Sequence, residues 1–312
     1  MRYLFLLLTF FVVFFQACSP IKKVSVQVAK TKINSNIKQD QSELSYKPSK
    51  TKVFDLLHTD LKVKPKWENQ SLEGTAKLLL KPYFYSSNKL VLDAKGMIFS
   101  GVYLRVENAI MPLKYEYDSL KLHIQLNKEY SRQDTVTIQI EYTAYPNKLA
   151  GNGSKAIKDD KGLYFINPLG RDLVKPRQIW TQGETEASSC WFPTIDSPNE
   201  KCSQKISIVV DSSLVTLSNG VLVSSKLEGA FRIDTWEQKK QHAPYLFMMA
   251  IGEFAIIKDS WNEIPVNYYV PKKDSANAKG VFGNTPEMLS FFSEKLGYAY
   301  PWDKYHQVVV SD

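Results

Sequence analysis

Side chains able to do chemistry are concentrated in the stretch WTQGETEASSCWFPTIDSP, residues 180–198. Its apolar residues follow neither a period of two nor a period of 3.6, so neither a strand nor a helix accounts for the whole of it. The stretch brings together two tryptophans, two glutamates, a glutamine, a cysteine and two prolines. The stretch is therefore either a packed turn or part of an active site.

Most of the other residues in this stretch have a structural interpretation. Glu186 is expected at the surface, and Asp196, which precedes Ser197 and Pro198, is expected to cap a turn rather than act as a catalytic acid. The residues predicted to build the core and the turn are Trp180, Trp191, Phe192 and Pro193.

The spacing of cysteine and histidine does not indicate a metal site. Cys190 and Cys202 are twelve residues apart, with no CxxC or HxxxH pattern beside them. The two could pair in an oxidising compartment, but nothing in the sequence brings their Cα atoms within the required ~7 Å, so a disulfide and two free thiols both remain open. The histidines are widely separated and have no ligand-type partner nearby, and they are His58, His123, His242 and His306.

Strands are the elements that must position residues 180–198. Apolar and polar residues alternate from Leu120 to Leu126 and from Val136 to Tyr142, as in strands with one buried face. The same pattern occurs near residues 60–63, 75–80, 90–92, 102–106, 206–210 and 231–235. Turn residues separate these segments. About ten strands at this spacing predict a mainly β fold, an antiparallel sandwich of one or two packed sheets.

The pattern changes near residue 285. Thr285 is a suitable N-cap and Pro286 suits the first helical position. Apolar residues then recur at three- and four-residue spacing until Gly297, a suitable C-cap, and they are Met288, Leu289, Phe292 and Leu296. This predicts a helix of about eleven residues. An apolar strand at 307–310 follows, which suggests that the chain ends inside a second domain.

The N-terminus has the features of an export signal. Arg2 is followed by an apolar run from Tyr3 to Phe15, which is too short to span a bilayer but suits residues 1–17 as a signal peptide. The small residue before Cys18 resembles a bacterial lipoprotein signal, in which Cys18 becomes the lipidated N-terminus. An ordinary secretory signal and an uncleaved anchor remain alternatives. All three place the protein outside the cytoplasm.

The positive charge is confined to the residues that follow. Of the formal net charge of +8, Ile21–Lys52 carry +6 and Arg2 carries one more, which leaves +1 for the rest. A nearly neutral folded part gives no reason to expect nucleic-acid binding. Residues 18–50 are rich in Lys, Ser, Asn and Gln and predict a flexible basic tether. It suits an anionic lipid surface, and a solvated linker without a partner is equally compatible.

Six blocks in a fixed order resemble the N-terminal half of the M1 family of zinc aminopeptidases. Together they span essentially the whole of residues 53–312. The blocks are LLHTDLKVKPKWENQSLEGTAKLLLKP (56–82), LVLDAKGM (90–97), WTQGETEASSCWFPTIDSPNEKCSQKISIVV (180–210), LSNGVLVSS (217–225), PYLFMMAIGEF (244–254) and TPEMLSFFSEKLGYAYPWDKYHQVVVSD (285–312).

The resemblance implies an N-terminal β-domain at 51–258 and the beginning of an α/β thermolysin-like catalytic domain at 259–312. It also assigns roles to two residues. Glu184 corresponds to a family position that binds the free α-ammonium of a peptide substrate, to which a carboxylate in a low-dielectric cleft can form a charge-assisted hydrogen bond. Gln182 would line the pocket for the first side chain of the substrate. The two-residue spacing puts both side chains on one side of an extended segment. A solvated loop carboxylate is the alternative for Glu184.

The metal site of the family is missing from the sequence. Zinc is expected in full-length members, whose HEXXH and GAMEN motifs do not occur in these 312 residues. The expectation is therefore a truncated, membrane-tethered aminopeptidase that is inactive by itself. A non-catalytic β-sandwich lipoprotein that binds peptides or a partner is the alternative, and completion of the site by a partner chain is a third.

Overall fold

The strands of the protein form five sheets in the part of the chain that is described. The computed structural model describes residues 50–107, 109–149 and 160–312, and Thr51–Asp312 form one unit. In chain order the strands are β1 (Phe54–Lys66), β2 (Ser71–Pro82), β3 (Ser87–Asp93), β4 (Met97–Val106), β5 (Ala109–Pro112), β6 (Lys114–Tyr117), β7 (Lys121–Tyr130), β8 (Val136–Ala144), β9 (Leu163–Ile166), β10 (Gln178–Thr181), β11 (Cys202–Asp211), β12 (Val215–Ser218), β13 (Val221–Glu228), β14 (Phe231–His242), β15 (Met249–Gly252), β16 (Phe254–Ile257), β17 (Ser260–Trp261), β18 (Ile264–Pro265), β19 (Tyr268–Pro271) and β20 (Gln307–Val308).

The largest sheet has eight strands in the order β13-β14-β11-β1-β2-β8-β4-β5. All its neighbours are antiparallel except β1 and β11, which run parallel. Alternate residues of β11 are buried along its whole length, as the alternation of 206–210 predicts. Every segment predicted as a strand between residues 60 and 235 lies in a strand, apart from Leu120, which immediately precedes β7, so the mainly β prediction is confirmed.

A smaller sheet packs against the large one and makes the fold a sandwich. It has the order β3-β7-β6. Leu90 and Leu122 from this sheet and Leu78 and Ile138 from the large sheet are fully buried in one hydrophobic cluster. Facing layers of alternating residues thus share a core, which is the arrangement expected of two packed antiparallel sheets.

A third sheet, in the order β12-β15-β10-β9, carries the start of the 180–198 stretch. Strand β10 lies between β9 and β15 and is antiparallel to both. Ile179, at its centre, is fully buried in the same cluster as the sandwich. Because β10 is an interior strand with a buried centre, the sheet fixes the position of Thr181, after which the next segment begins.

The C-terminal residues build a second hydrophobic cluster. Strands β16, β19 and β20 form a sheet, which crosses the boundary predicted after residue 258. Two helices follow β19, α1 (Ser275–Phe282) and α2 (Thr285–Leu296). The cluster contains Tyr268 from β19 and one residue from each helix, Ala278 and Leu289.

The predicted helix is present as α2, with corrections. Thr285 is its first residue and Asn284 its N-cap, and the Thr285 hydroxyl donates to the carbonyl of Phe282 within the preceding turn. Gly297 ends it in the left-handed conformation, as predicted. Of the apolar stripe only Leu289 is buried, whereas Met288, Phe292 and Leu296 are exposed. Helix α1 was not predicted, and the final strand is two residues long rather than four.

Several predictions concern residues outside the described range. The signal peptide at 1–17, lipidation at Cys18 and the tether at 18–50 all fall there, apart from Lys50. Within residues 50–107, 109–149 and 160–312, neither helix is long and apolar enough to cross a membrane.

Candidate functional site

The turn that follows β10 holds Gln182 and Glu184. The Gln182 backbone N–H donates to the carbonyl of Gly162, 3.0 Å away, and so continues the pairing of β10 with β9 for one more residue. The chain then bends at Gly183. A Cβ at that position would lie 2.5 Å from the carbonyl oxygen of Tyr245, so only glycine fits without displacing backbone. The extended segment predicted at 182–184 therefore gives way to a turn at Glu184.

Gln182 and Glu184 contact each other directly. The backbone N–H of Glu184 donates to the side-chain oxygen of Gln182, with a distance of 2.7 Å. Gln182 is half-buried, while Glu184 is exposed. Across the described residues, the Glu184 carboxylate has neither an ion pair nor a hydrogen bond within the chain. The backbone of Glu184 is thus held in place, and its carboxylate is accessible to a ligand.

A buried aromatic layer supports this turn. Trp191 and Phe192 are fully buried, with ring centroids 4.4 Å apart in an edge-on contact, and Phe192 stacks on Phe247 at 5.4 Å. Pro193 is also buried, so the predicted core role of these residues is confirmed. Trp180 is half-buried and stacks on Tyr164, with ring centroids 4.2 Å apart.

Asp196, which is buried, stabilises the turn through hydrogen bonds. Its Oδ2 atom accepts the backbone N–H of Ser189 at 2.8 Å, and its own N–H donates to the Oδ2 atom of Asp93 at 3.0 Å. Burial raises the pKa of the Asp196 carboxyl to about 6. The Asp196 carboxylate accepts a hydrogen bond from the backbone of a turn, as the sequence predicts. The turn contains Ser189 and lies before Asp196 in the chain, whereas the prediction placed it at Ser197 and Pro198.

The connection between β3 and β4 ties the turn to the sandwich. Asp93 and Thr194 exchange two backbone hydrogen bonds of 2.7 and 3.0 Å. The side-chain ammonium of Lys95 donates a hydrogen bond to the carbonyl of Glu186 at 2.5 Å. The backbone N–H of Lys95 donates to the carbonyl of Ser189 at 2.7 Å. Glu186 is half-buried rather than a plain surface residue. These contacts, which the sequence did not reveal, hold both ends of the turn.

The last residues of the chain run alongside β10. The side-chain oxygen of Gln178 accepts the N–H of Ser311 at 3.0 Å, and its amide group donates to the carbonyl of Val309 at 3.4 Å. The indole N–H of Trp180 donates to the carbonyl of Ser311 at 2.9 Å. Gln178 is buried. A glutamine beside the apolar residues Ile179 and Trp180 is the one sequence signal that could have suggested such a backbone partner, because a buried amide needs a hydrogen-bond partner.

Both cysteines in the described residues are free thiols. The Sγ atom of Cys190 lies 3.6 Å from the carbonyl oxygen of Asp160, and that of Cys202 lies 3.6 Å from the hydroxyl of Thr59. Burial raises the pKa of each thiol to about 12. Thiols that stay protonated are poor nucleophiles and poor metal ligands, so both have a packing role.

The side chains that the structure describes do not fit a zinc ion. Within the described part of the chain, no three His, Cys, Asp or Glu side chains are grouped so that they could hold a metal. Three histidines have other contacts: His58 with Ser203, His242 with Gln204, and His123 with Asp118. The ring of His306 contacts the ring of Tyr269 in a tilted arrangement, with centroids 5.4 Å apart. No chemical step can therefore be assigned to a metal held by these side chains.

Comparisons with known proteins agree with this architecture. A family model described as the Peptidase M1 N-terminal domain matches residues 55–246. Transcription initiation factor TFIID subunit 2 of Danio rerio is 24% identical over 279 residues, covering 79% of this chain and 23% of that protein. Probable aminopeptidase 2 of Sulfurisphaera tokodaii is 25% identical over 232 residues, covering 74% of this chain and 27% of that protein.

Solved structures show the same fold. The M1 zinc metallopeptidase from Deinococcus radiodurans superposes with a TM-score of 0.68 at 15% identity, covering 83% of this chain and 57% of that chain. A two-domain M1 zinc metallopeptidase bound to L-arginine gives 0.68 at 16% identity with the same coverage. This chain spans about a quarter of the length of the two curated relatives described above. The fold and the family model together establish that the chain belongs to the M1 peptidase family and contains its N-terminal domain.

Proposed function

We propose that this chain is the N-terminal part of a membrane-tethered zinc aminopeptidase and supplies the edge that receives substrate N-termini. One observation carries the proposal: the Glu184 carboxylate is exposed and unpaired among the described residues, on a backbone held by Gln182 and Gly183. A carboxylate in that situation can accept charge-assisted hydrogen bonds from the α-ammonium group of a peptide. Gln182 would line the pocket for the first side chain.

Recognition and hydrolysis are divided between different residues in this proposal. The described side chains contain no ligand set for zinc, so the chain by itself is expected to bind an amino terminus and not to cleave the peptide. Activation of water by zinc would require residues other than those described. The aminopeptidases among the relatives are longer than this chain, which is compatible with such a division.

The test of recognition is a titration of the isolated chain with leucine amide, followed by NMR of the backbone amides of Gln182 and Glu184. N-acetyl-leucine amide, which lacks the ammonium group, is the matched ligand control. We expect leucine amide to bind with a Kd of about 1 mM, as suits one half of a site. Glu184→Gln removes the charge without changing shape and should abolish the response, whereas Glu186→Gln should retain it. Equal shifts with the acetylated ligand would refute the role of Glu184.

Hydrolysis is tested separately on the same chain. An aminoacyl anilide is incubated with the chain and added Zn²⁺, and release of the chromophore is followed. No release above the protein-free rate is expected. Zinc-dependent release by the wild-type chain, abolished by a chelator, would show that the chain contributes a metal site after all.

The tether and the location belong to the same proposal. Cys18 after a short apolar run supports export and anchoring through a lipid. Metabolic labelling with a radioactive fatty acid should label the wild-type protein and leave Cys18→Ser unlabelled. An unlabelled wild-type protein that fractionates with soluble exported proteins would contradict the anchor and leave the peptidase proposal intact.

A non-catalytic binding module is the second candidate. It is favoured by the similarity to transcription initiation factor TFIID subunit 2, a relative whose name is not that of a peptidase. A module of this kind has no reason to require a free α-ammonium group on its ligand. Binding of acetylated and free ligands with equal affinity would therefore favour it.

A further inference from the structure

We propose that Tyr83, Phe84 and Tyr85, the aromatic loop between β2 and β3, form a membrane-contact surface that holds the β-sandwich against an anionic bilayer. The inference rests on the proposed membrane tether, and it concerns a surface separate from the 182–184 turn. It assigns a partner to the largest run of consecutive exposed aromatic residues in the described sequence.

The exposure of the loop is unusual for its residue types. Strand β2 ends at Pro82, which is buried, and the next three residues are 55%, 62% and 80% exposed. Three adjacent aromatic side chains in water have an unfavourable hydration free energy, and a contiguous patch of this kind is typical of an interaction site. Single exposed apolar residues elsewhere need no such explanation.

The loop is preformed rather than loose. The rings of Phe84 and Tyr85 make an edge-on contact with centroids 4.8 Å apart. The backbone N–H of Tyr83 donates to the carbonyl of Val53 at 2.8 Å, and Phe54 pairs with Pro82 in the sheet. Because the backbone is held at Tyr83 and two of the rings contact each other, less conformational entropy is lost on contact with a partner than for an unsupported loop.

The position of the loop points to a bilayer rather than to another protein. Val53, its hydrogen-bond partner, lies next to the point where residues 1–50 join the sandwich, and Val53 is itself exposed. A tether anchored at Cys18 would confine this end of the sandwich to the neighbourhood of the membrane. A surface contact there would be intramolecular in effect, so even weak affinity would keep the loop bound.

The chemistry of the loop suits the interfacial layer of a bilayer. Phe and Tyr place an apolar ring at the level of the headgroups, and the Tyr hydroxyl remains hydrogen-bonded there. The exposed Lys89 follows the loop in sequence and favours anionic lipid, whereas Lys81, which precedes the loop, pairs with Asp55 at 3.8 Å. Lys52 lies 5.1 Å from the Tyr83 ring centroid, but its ammonium pairs with Asp55 and Glu200, so it adds little attraction.

Hydrogen–deuterium exchange of residues 82–89 tests the contact. The full chain carries an N-terminal His-tag and is attached to vesicles of phosphatidylglycerol and phosphatidylethanolamine that contain a nickel-chelating lipid. Attachment is then independent of lipidation at Cys18, and flotation verifies it in every sample. The same protein without vesicles is the reference. The triple variant Tyr83→Ser, Phe84→Ser, Tyr85→Ser is compared with Phe291→Ser, Phe292→Ser, which removes two exposed rings from α2.

We expect exchange of residues 82–89 to slow by about threefold or more on the vesicles. The variant of α2 should keep this protection. The triple serine variant should float with the vesicles, but its loop should no longer insert into the bilayer surface. Exchange of residues 82–89 in this variant should therefore be the same with and without lipid. Equal exchange of the attached wild-type loop with and without vesicles would overturn the proposal, and so would protection that survives in the triple variant. Failure of Cys18 to become lipidated would instead remove the proposed anchor and the local concentration that it provides, and it would leave the exchange result on the nickel-chelating vesicles unchanged.

Discussion

Gly183→Ala tests whether the 182–184 turn is held by close packing of backbone. The added Cβ would lie 2.5 Å from the carbonyl oxygen of Tyr245, 2.5 Å from the hydroxyl of Ser188 and 2.9 Å from the Tyr245 Cα. Favourable non-bonded contacts of carbon occur at about 3.5–4.0 Å. Ser188 cannot simply rotate away without cost, because its buried hydroxyl donates to the carbonyl of Pro244 at 2.8 Å.

The two backbones must therefore separate by about 1 Å, which corresponds to overpacking that costs about 1–3 kcal/mol of the free energy of unfolding. Gly280→Ala is the matched control. Gly280 lies in α1 with no atom within 4 Å of the added Cβ, and alanine stabilises an exposed helix by about 0.5–1 kcal/mol relative to glycine. The same chemical change should thus have opposite signs at the two positions.

Urea denaturation of the wild type and both variants measures the difference, with the slope of the transition compared to verify that unfolding exposes the same surface. NMR of the Glu184 amide should show a displaced signal in Gly183→Ala only, because its N–H donates to the side chain of Gln182. A loss smaller than about 0.5 kcal/mol at Gly183, in the range of ordinary surface substitutions, would refute the packing argument.

Three further predictions concern ionisable groups. Burial raises the pKa of the Asp196 carboxyl from 3.8 to about 6, so the folded state holds its proton more tightly than the unfolded state. Stability is then lost as pH rises from about 4 to about 6, by about 3 kcal/mol in a urea assay, and Asp196→Asn should remove that slope. Burial lowers the pKa of Lys304 from 10.5 to about 7. The unfolded state therefore keeps a proton that the folded state has lost, and stability should rise between pH 7 and pH 10 in the wild type but not in Lys304→Met. Because burial raises the pKa of the Cys190 and Cys202 thiols to about 12, iodoacetamide at pH 8 should modify them at least about 100-fold more slowly in the native protein than in urea, and equal rates would contradict their burial.

Local patterns in the sequence were sufficient for most of the fold. Alternation predicts which face of a strand is buried, because the side chains of a strand point to opposite sides of the sheet. Ile206 and Ile208 are fully buried in β11, and their neighbour Ser207 is not. Turn residues such as Gly220, whose φ is +70°, separate the strands where the sequence suggests.

The helix at 285–296 shows where such patterns fail. A three- and four-residue period identifies an apolar face but not the surface that covers it. Leu289 packs on the second cluster, whereas Met288 and Phe292 are exposed. Helix α1, with the sequence SANAKGVF, has too few apolar residues to show a period, and its position depends on contact of Ala278 with the cluster.

The sequence by itself determined the mainly β architecture and the core role of Trp191 and Phe192, since residue type and short spacing carry that information. The choice of Gln182 and Glu184 as candidates came from the resemblance of longer blocks of sequence to a known family. Tertiary structure alone decided how the candidate turn is held. Lys95 and Asp93, from the sandwich, form hydrogen bonds to the turn. The backbone of Ser311 lies beside β10 and forms hydrogen bonds with the side chains of Gln178 and Trp180. These contacts join residues about 90 to 130 positions apart. Such partners depend on the folding of the whole chain, because a hydrogen bond to a distant backbone group leaves no periodic pattern in the residues that make it.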